Sequence, residues 1–123
     1  AAGARWTTDL AGCAVVFTVL PGVPELTELV LGSGQFLSHL DKATTWVDLT
    51  SGSFEAAQDF ARAAREHGIA YLDAPIGGGV PAMRAGTVRL YVGGDAPRWP
   101  ASNRYCAPSP KPFNTWADRA AAT

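Results

Sequence analysis

Short, unbroken apolar runs alternate with stretches of helical period along most of this chain, and this alternation constrains its fold. Strands are predicted over 13–20, 44–49, 69–72 and 87–92, with helical spacing over 23–31 and again after Ser53. Continuous hydrophobic strands, rather than strictly alternating ones, are typical of a mostly parallel sheet whose two faces are covered by helices. The pattern therefore predicts an α/β fold with a doubly wound sheet.

The second helix has the clearest start and stop signals. Ser53 is a good N-cap, and Gly68 can supply the left-handed residue that ends a helix, with His67 suited to the negative end of the helix dipole. Apolar residues recur at spacings of three and four and are predicted to face the core: Phe54, Ala57, Phe60, Ala61 and Ala64. The segment therefore predicts one amphipathic helix.

Length and composition favour a single small domain. The chain has 123 residues, 47% of them hydrophobic, and a net charge of −1, which gives no reason to expect nucleic acid or a membrane surface as partner. It contains neither a long apolar run nor a signal peptide, so a cytoplasmic location is expected. Cys13 and Cys106 lack metal or redox spacing, and His39 and His67 stand apart, so no metal site is predicted. Cys13 is expected to be a buried thiol.

A glycine cluster follows the third predicted strand. Gly77, Gly78 and Gly79 come directly after Asp73-Ala74-Pro75-Ile76, where the chain can take positive φ and expose N–H groups to a ligand carboxylate. A tight turn without a ligand is the alternative. Asp73, at a strand end before proline, is interpreted as a turn or cap acceptor and not as a general base.

Three conspicuous segments fall where predicted strands end. They are Leu20-Pro21, Thr50-Ser51 and Asp73-Ala74-Pro75. Ligands of doubly wound sheets bind at the carboxyl ends of the strands. These segments are therefore predicted to share one ligand-binding edge, a property that other nucleotide-binding α/β folds would also show.

The same segments carry a family resemblance over residues 11–95, which is expected to be absent beyond them. Asp73 to Gly79, Ala85-Gly86-Thr87 and Val92 to Asp95 resemble the substrate-loop region of the β-hydroxyacid dehydrogenases, and 15–21 and 46–51 match at the family's spacing. That family includes 3-hydroxyisobutyrate dehydrogenase and the NAD-binding domain of 6-phosphogluconate dehydrogenase. The resemblance implies a Rossmann-like fold and an NAD- or NADP-dependent oxidoreductase that moves a hydride between the nicotinamide and the β-carbon of a 3-hydroxy acid.

The resemblance also implies site residues. Leu20, Pro21, Thr50 and Ser51 would lie against the dinucleotide, and the loop of Gly77, Gly78 and Gly79 would hold the substrate carboxylate. For Pro21 the alternative is a simple strand-ending proline, and for Thr50 and Ser51 it is helix capping. The family usually has serine at the position of Gly77, so a side-chain donor is missing here.

Two family features are absent from this sequence. It contains no Gly-x-Gly-x-x-Gly loop, and Lys111 lacks the glycine-rich helix start that precedes the family's catalytic lysine. We therefore expect 1–96 to be a partial dinucleotide-binding domain without its first strands and phosphate loop, truncated at its N-terminus. Residues 97–123 are expected to be a disordered, proline-rich tail, which a frame shift near Ala101 would explain. No catalytic residue is assigned, and the isolated chain is predicted to be inactive.

A non-catalytic function is the alternative. An incomplete sheet would leave unpaired backbone groups and uncovered apolar surface at its edges. These features favour either an α/β ligand-binding domain or a module that associates with itself, and a homo-oligomer is left open.

Overall fold

The computed structural model of the protein describes residues 3–33 and 35–94. Its elements in chain order are β1 Val15–Thr18, α1 Val23–Leu31, a 3₁₀ helix Phe36–His39, β2 Thr45–Asp48, α2 Phe54–Glu66, β3 Ala70–Asp73, β4 Ile76–Gly77, α3 Gly79–Ala85, β5 Arg89–Leu90 and β6 Gly93–Gly94. The predicted tail 97–123, with Cys106 and Lys111, lies outside the described residues, so its disorder stays a prediction.

A four-stranded sheet organises the described residues. Its order is β1-β2-β3-β6, with β1, β2 and β3 parallel and β6 antiparallel to β3. Two successive βαβ crossovers advance in the same direction across this sheet, and because such crossovers are right-handed, α1 and α2 fall on the same face. The predicted α/β fold with a mostly parallel, Rossmann-like sheet is confirmed. The expected helices on both faces are not seen within residues 3–33 and 35–94, where α1 and α2 cover one face.

The main core lies between this face and the two helices. Val16, Trp46 and Tyr71 align across the three parallel strands, and α1 and α2 cover them. The helices contribute buried residues at helical spacing: Leu26 and Val30 from α1, and Phe60, Ala63 and Ala64 from α2. Trp46 is completely buried, with its ring centroid 4.5 Å from Tyr71 and 5.4 Å from Phe36. Tryptophan at this position therefore serves core packing, whereas Cys13 is only half-buried and not fully buried as expected.

The predicted ends of α2 are confirmed. The Ser53 hydroxyl oxygen accepts from the Ala56 N–H at 3.2 Å, and Gly68 has a φ of 73°. His67 Nδ1 donates to the Ala63 carbonyl at 2.9 Å, which gives this histidine a structural role. The expectation that Phe54 faces the core is wrong, because six residues at about 100° each put it about 120° around the helix from Phe60, on an exposed side.

The predicted fourth strand, over residues 87–92, is wrong. The run 87–92 forms no continuous strand: β5 pairs antiparallel with β4 in a separate two-stranded sheet, and β6 joins the main sheet. The physical reason lies in Gly94, whose φ is 124° and whose Cβ position would be 2.5 Å from the Tyr71 carbonyl oxygen, so the chain can close onto β3 only at a glycine. Val92 then packs on Val47 and Leu72.

Candidate functional site

The carboxyl edge of the sheet carries three polar residues in register. Thr18, Asp48 and Asp73 are the last residues of β1, β2 and β3, and they pair directly across the strands. Each of them comes two residues after Val16, Trp46 or Tyr71 in its strand. Because side chains alternate between the faces of a strand, all three lie on the same face as those residues, the face that α1 and α2 cover. The edge therefore carries two carboxylates close to the core.

Thr18 and Asp48 belong to a buried hydrogen-bond network. Asp48 Oδ1 accepts from the Thr18 hydroxyl at 2.8 Å and from the Thr50 N–H at 3.0 Å, and Trp46 Nε1 donates to the Thr18 hydroxyl oxygen at 2.9 Å. All four side chains are buried. We call Thr18, Trp46, Asp48 and Thr50 the edge network; it fixes the ends of two strands relative to the core.

The edge network also brings together the two segments predicted to bind a dinucleotide. The Leu20 N–H donates to the Thr50 hydroxyl oxygen at 3.1 Å, so the chain after β1 is fastened to the chain after β2. Thr50 is buried and Leu20 half-buried, whereas Pro21 and Ser51 are exposed. Ser53 and not Ser51 caps α2. Pro21 and Ser51 therefore present the accessible surface of this predicted site.

Leu20 also borders an open groove beside α1. The groove measures about 320 Å³, and its lining residues are Leu20, Glu25, Glu28, Leu29 and Ser33. Two of these carry negative charge. A ligand in this groove would therefore meet apolar surface flanked by carboxylates.

The backbone of the glycine loop favours glycine at two of its three positions. Gly78 and Gly79 have φ of 107° and 63°, in the left-handed region that disfavours side chains. A Cβ on Gly77 would lie 2.6 Å from Tyr91 Cε2, so the tyrosine ring fills the space that a serine side chain would need. The loop leads directly into α3, a helix that the sequence patterns did not predict. The segment is thus a tight turn between β4 and α3, as the alternative expected, and its binding of a carboxylate stays a prediction.

One arginine lies opposite the start of the glycine loop. Arg89 pairs directly with Gly77 across β4 and β5, whereas Arg84 is in the last turn of α3, at the end of that helix away from the loop. Side chains of directly opposite residues in an antiparallel pair lie on the same face. The exposed Arg89 side chain therefore lies on the face from which a side chain at position 77 would project.

Burial and mutual repulsion perturb two acidic groups at the edge. Burial, and secondarily the Asp48 charge, raises the pKa of Asp73 to about 6. Burial, with the charges of Asp73 and Asp48, raises the pKa of Tyr71 far above its usual range. The Asp73 carboxylate has no hydrogen bond within residues 3–33 and 35–94, so its predicted role as a turn or cap acceptor gains no support there.

Sequence reasoning missed Thr18, Asp48 and Tyr71 as members of this site. The sequence did contain a signal for two of them: Thr18 and Asp48, like Asp73, are polar residues at the ends of apolar strands. Parallel strands in register bring such residues together at one edge of the sheet. The burial of the Tyr71 hydroxyl left no signal in the sequence.

The described part of the chain shows neither a metal site nor a membrane span. Residues 3–33 and 35–94 hold no group of three or more His, Cys, Asp or Glu side chains that could bind a metal ion. No helix in those ranges has the length and apolar character needed to cross a bilayer.

A parallel sheet with its polar residues at the carboxyl edge defines a Rossmann-like domain of the dinucleotide-binding class. Residues 2–105 match the NAD binding domain of 6-phosphogluconate dehydrogenase, and the chain belongs to that family. The match extends beyond 11–95 at both ends. It confirms the predicted family of NAD(P)-dependent oxidoreductases and, at the level of the family, the predicted cofactor class.

Individual relatives agree with this assignment. NAD-dependent L-serine dehydrogenase of Pseudomonas aeruginosa is 36% identical over 97 residues, which cover 78% of this chain and 33% of the relative. For 2-hydroxy-3-oxopropionate reductase of Escherichia coli the identity is 37% over 92 residues, covering 75% and 31%. The structure of Mycobacterium tuberculosis 3-hydroxyisobutyrate dehydrogenase with L-serine has a TM-score of 0.67 and 30% identity, covering 76% and 31%. The chain thus spans about a third of the length of these relatives.

Proposed function

We propose that this chain is the substrate-loop half of an NAD(P)-binding domain, from an enzyme that oxidises or reduces a small 3-hydroxy acid. In that reaction a hydride passes between the nicotinamide and the β-carbon of the substrate. The observation that carries the proposal is the single carboxyl edge on which the ends of β1, β2 and β3 lie. In this proposal 1–96 form the partial domain and 97–123 a separate tail.

The dinucleotide is assigned to Leu20, Pro21, Thr50 and Ser51. Support comes from the hydrogen bond between the Leu20 N–H and the Thr50 hydroxyl, which holds the two segments side by side. Ser51 is exposed and is not used in capping α2, so its hydroxyl is free to donate to and accept from a ligand. Bound NAD or NADP would supply the hydride chemistry; these residues would orient its nicotinamide end.

The substrate carboxylate is assigned to the loop of Gly77, Gly78 and Gly79. Backbone that carries no Cβ allows close approach of an anion. Arg89, opposite Gly77, adds a positive charge on the face where a residue 77 side chain would lie. Arginine pairs well with carboxylates because its guanidinium donates two parallel hydrogen bonds.

Titration of the ¹⁵N-labelled 123-residue chain with NAD⁺ and NADP⁺ tests the cofactor assignment. We expect weak binding, with the largest amide shifts at 20–21 and 50–51, and a loss of roughly threefold to tenfold in affinity for Ser51→Ala. Ser38→Ala, which changes an exposed serine of the 3₁₀ helix, is the matched control. Shifts confined to other segments would refute the placement.

A second titration, with 3-hydroxy acids, tests the glycine loop. Arg89→Ala should weaken carboxylate binding. Arg65→Ala, which changes an exposed arginine in the last turn of α2, should not.

We also expect no turnover by the isolated chain, since it lacks the phosphate loop and the family's lysine. Steady NAD(P)H production from any 3-hydroxy acid would overturn that expectation.

A non-catalytic, self-associating module is the second candidate, favoured by the exposed apolar side of β1. Within the described residues β1 pairs only with β2, and Phe17 and Val19 remain 39% and 63% exposed. Sheet edges of this kind bind further strands.

Sedimentation over a concentration series distinguishes this candidate from the first. Phe17→Ser should abolish association, whereas Val80→Ser, which removes a still more exposed apolar side chain from α3, should leave it intact. Association without dinucleotide binding would favour the module, and dinucleotide binding by a monomer would favour the dehydrogenase fragment.

A further inference from the structure

A small polar cavity lies beneath the carboxyl edge, between the strand ends and α2. It measures about 10 Å³, which is close to the space that one water molecule requires. Its polar lining consists of Asp48, Thr50, Ser53, Tyr71 and Asp73, and its apolar lining includes Val23, Leu26 and Phe60. The cavity therefore shares Thr50 with the segment assigned to the dinucleotide, but its lining does not include Pro21, Ser51 or the glycine loop.

The Tyr71 hydroxyl is a buried polar group at this cavity. The residue is 4% exposed, and its hydroxyl, which lies beside the Asp48 carboxylate, makes no hydrogen bond of good geometry within residues 3–33 and 35–94. Its ring is held by Trp46, whose centroid lies 4.5 Å away, so the hydroxyl cannot swing out to solvent without breaking the aromatic core. Buried hydroxyls in folded proteins are nearly always hydrogen-bonded.

Two carboxylates face the same space. Asp48 uses Oδ1 for the Thr18 hydroxyl and the Thr50 N–H, which leaves Oδ2 as an acceptor, and Asp73 has both oxygens available within the described residues. An ionised carboxylate only accepts hydrogen bonds, and the lining offers three hydroxyl donors, one each from Thr50, Ser53 and Tyr71, against several acceptor sites on the free carboxylate oxygens. The lining therefore has more acceptors than donors.

A water molecule supplies the missing donors. It donates two hydrogen bonds and accepts up to two, and buried waters typically make about three. We propose that the cavity binds one ordered water molecule, which donates to Asp48 and Asp73 and accepts from the Tyr71 hydroxyl. This water ties the edge network to the end of β3, the strand that leads into the glycine loop.

NMR of the full 123-residue chain tests the proposal directly. Exchange spectra in the rotating frame should show a long-lived water close to the Tyr71 hydroxyl proton and to the Thr50 amide. The signal should be the same in sodium chloride and in choline chloride. A long-lived water absent from these spectra, or a stabilisation specific to sodium that marks a bound cation instead, would overturn the proposal.

A pair of tyrosine variants gives an independent test. Tyr71→Phe removes one of the partners of the water and should raise the equilibrium constant of unfolding roughly fivefold to tenfold. Tyr91→Phe loses the same hydroxyl from a half-exposed ring outside the cavity and should change that constant by less than about twofold. Tyr71→Phe as stable as the wild type would contradict the bridge, and if this variant fails to fold, the wild-type water signal decides alone.

Discussion

The helix-covered face of the sheet and the glycine segment, residues 76–91, are built in different ways. On the first, Trp46 and Leu26 are almost completely buried and three aromatic rings surround the indole. In the second, α3 buries no residue, and Val80 and Met83 are more than half exposed. Side-chain packing stabilises the helix-covered face, whereas the structure of the glycine segment depends mainly on backbone conformation.

This difference separates the support of the proposed site from its binding surface. The edge network is anchored in the aromatic core through the Trp46 indole N–H, so the segments assigned to the dinucleotide inherit the rigidity of that core. The glycine loop has little buried surface of its own and is expected to open more readily. Substitutions should therefore have global effects in the first region and local effects in the second.

The largest effect is expected from Trp46→Ala. Removing a completely buried indole costs about 3–5 kcal/mol, a large share of the stability of a small domain. Trp6→Ala is the matched control, since Trp6 is 87% exposed and should contribute less than about 0.5 kcal/mol. Urea unfolding followed by circular dichroism measures both. Equal losses for the two variants would mean that the core is not centred on Trp46.

A smaller but still global loss is expected from Asp48→Ala. The substitution leaves the Thr18 hydroxyl and the Thr50 N–H without their acceptor in a buried position, at a cost of about 2–3 kcal/mol. Asp59→Ala removes a carboxylate that pairs with Arg62 on the exposed side of α2 and should cost less than about 0.5 kcal/mol. Urea denaturation of the two variants under the same conditions makes the comparison. If Asp48→Ala is as stable as Asp59→Ala, the edge network does not support the sheet.

The scaffold was largely predictable from the sequence. Apolar runs located β1, β2 and β3, and the cap signals at Ser53 and Gly68 located α2, because these features depend on residues close together in the chain.

The glycine segment was predicted less well, since its structure depends on contacts between distant residues. The run 87–92 has strand composition, but Tyr91 packs over Gly77 and Val92 over Leu72, which divides the run between two sheets. The edge network was missed for the same reason, as the Thr18–Asp48 bond spans 30 residues. The roles of Leu20, Pro21, Thr50 and Ser51 in cofactor binding stay predictions.

In the glycine segment, Gly78→Ala should have a local effect. The new Cβ would lie 2.6 Å from the Ala82 Cβ at a φ of 107°, and such strain costs about 1–3 kcal/mol. Gly12→Ala also has positive φ but meets no atom within 4 Å, so it reports the backbone strain alone. Hydrogen exchange should show faster opening of α3 in Gly78→Ala, with the amides of β2 and β3 unchanged. Uniformly faster exchange would show that the two regions unfold together.

The smallest effect concerns Asp73, where the two regions meet. Its pKa of about 6 in the folded chain is above the ordinary value of 3.8, so its contribution favours folding below about pH 4 and is lost as the pH rises through 6. Asp73→Asn should therefore match the wild type near pH 4 and be more stable above pH 6. We expect a gain of about 1 kcal/mol, because a half-exposed carboxylate keeps much of its hydration. Urea midpoints of both proteins between pH 4 and 8, with Asp59→Asn as control, measure the difference. A gain in stability that is independent of pH would show that ionisation of Asp73 does not destabilise the fold. The repulsion from Asp48 would then be too weak to couple the glycine segment to the edge network.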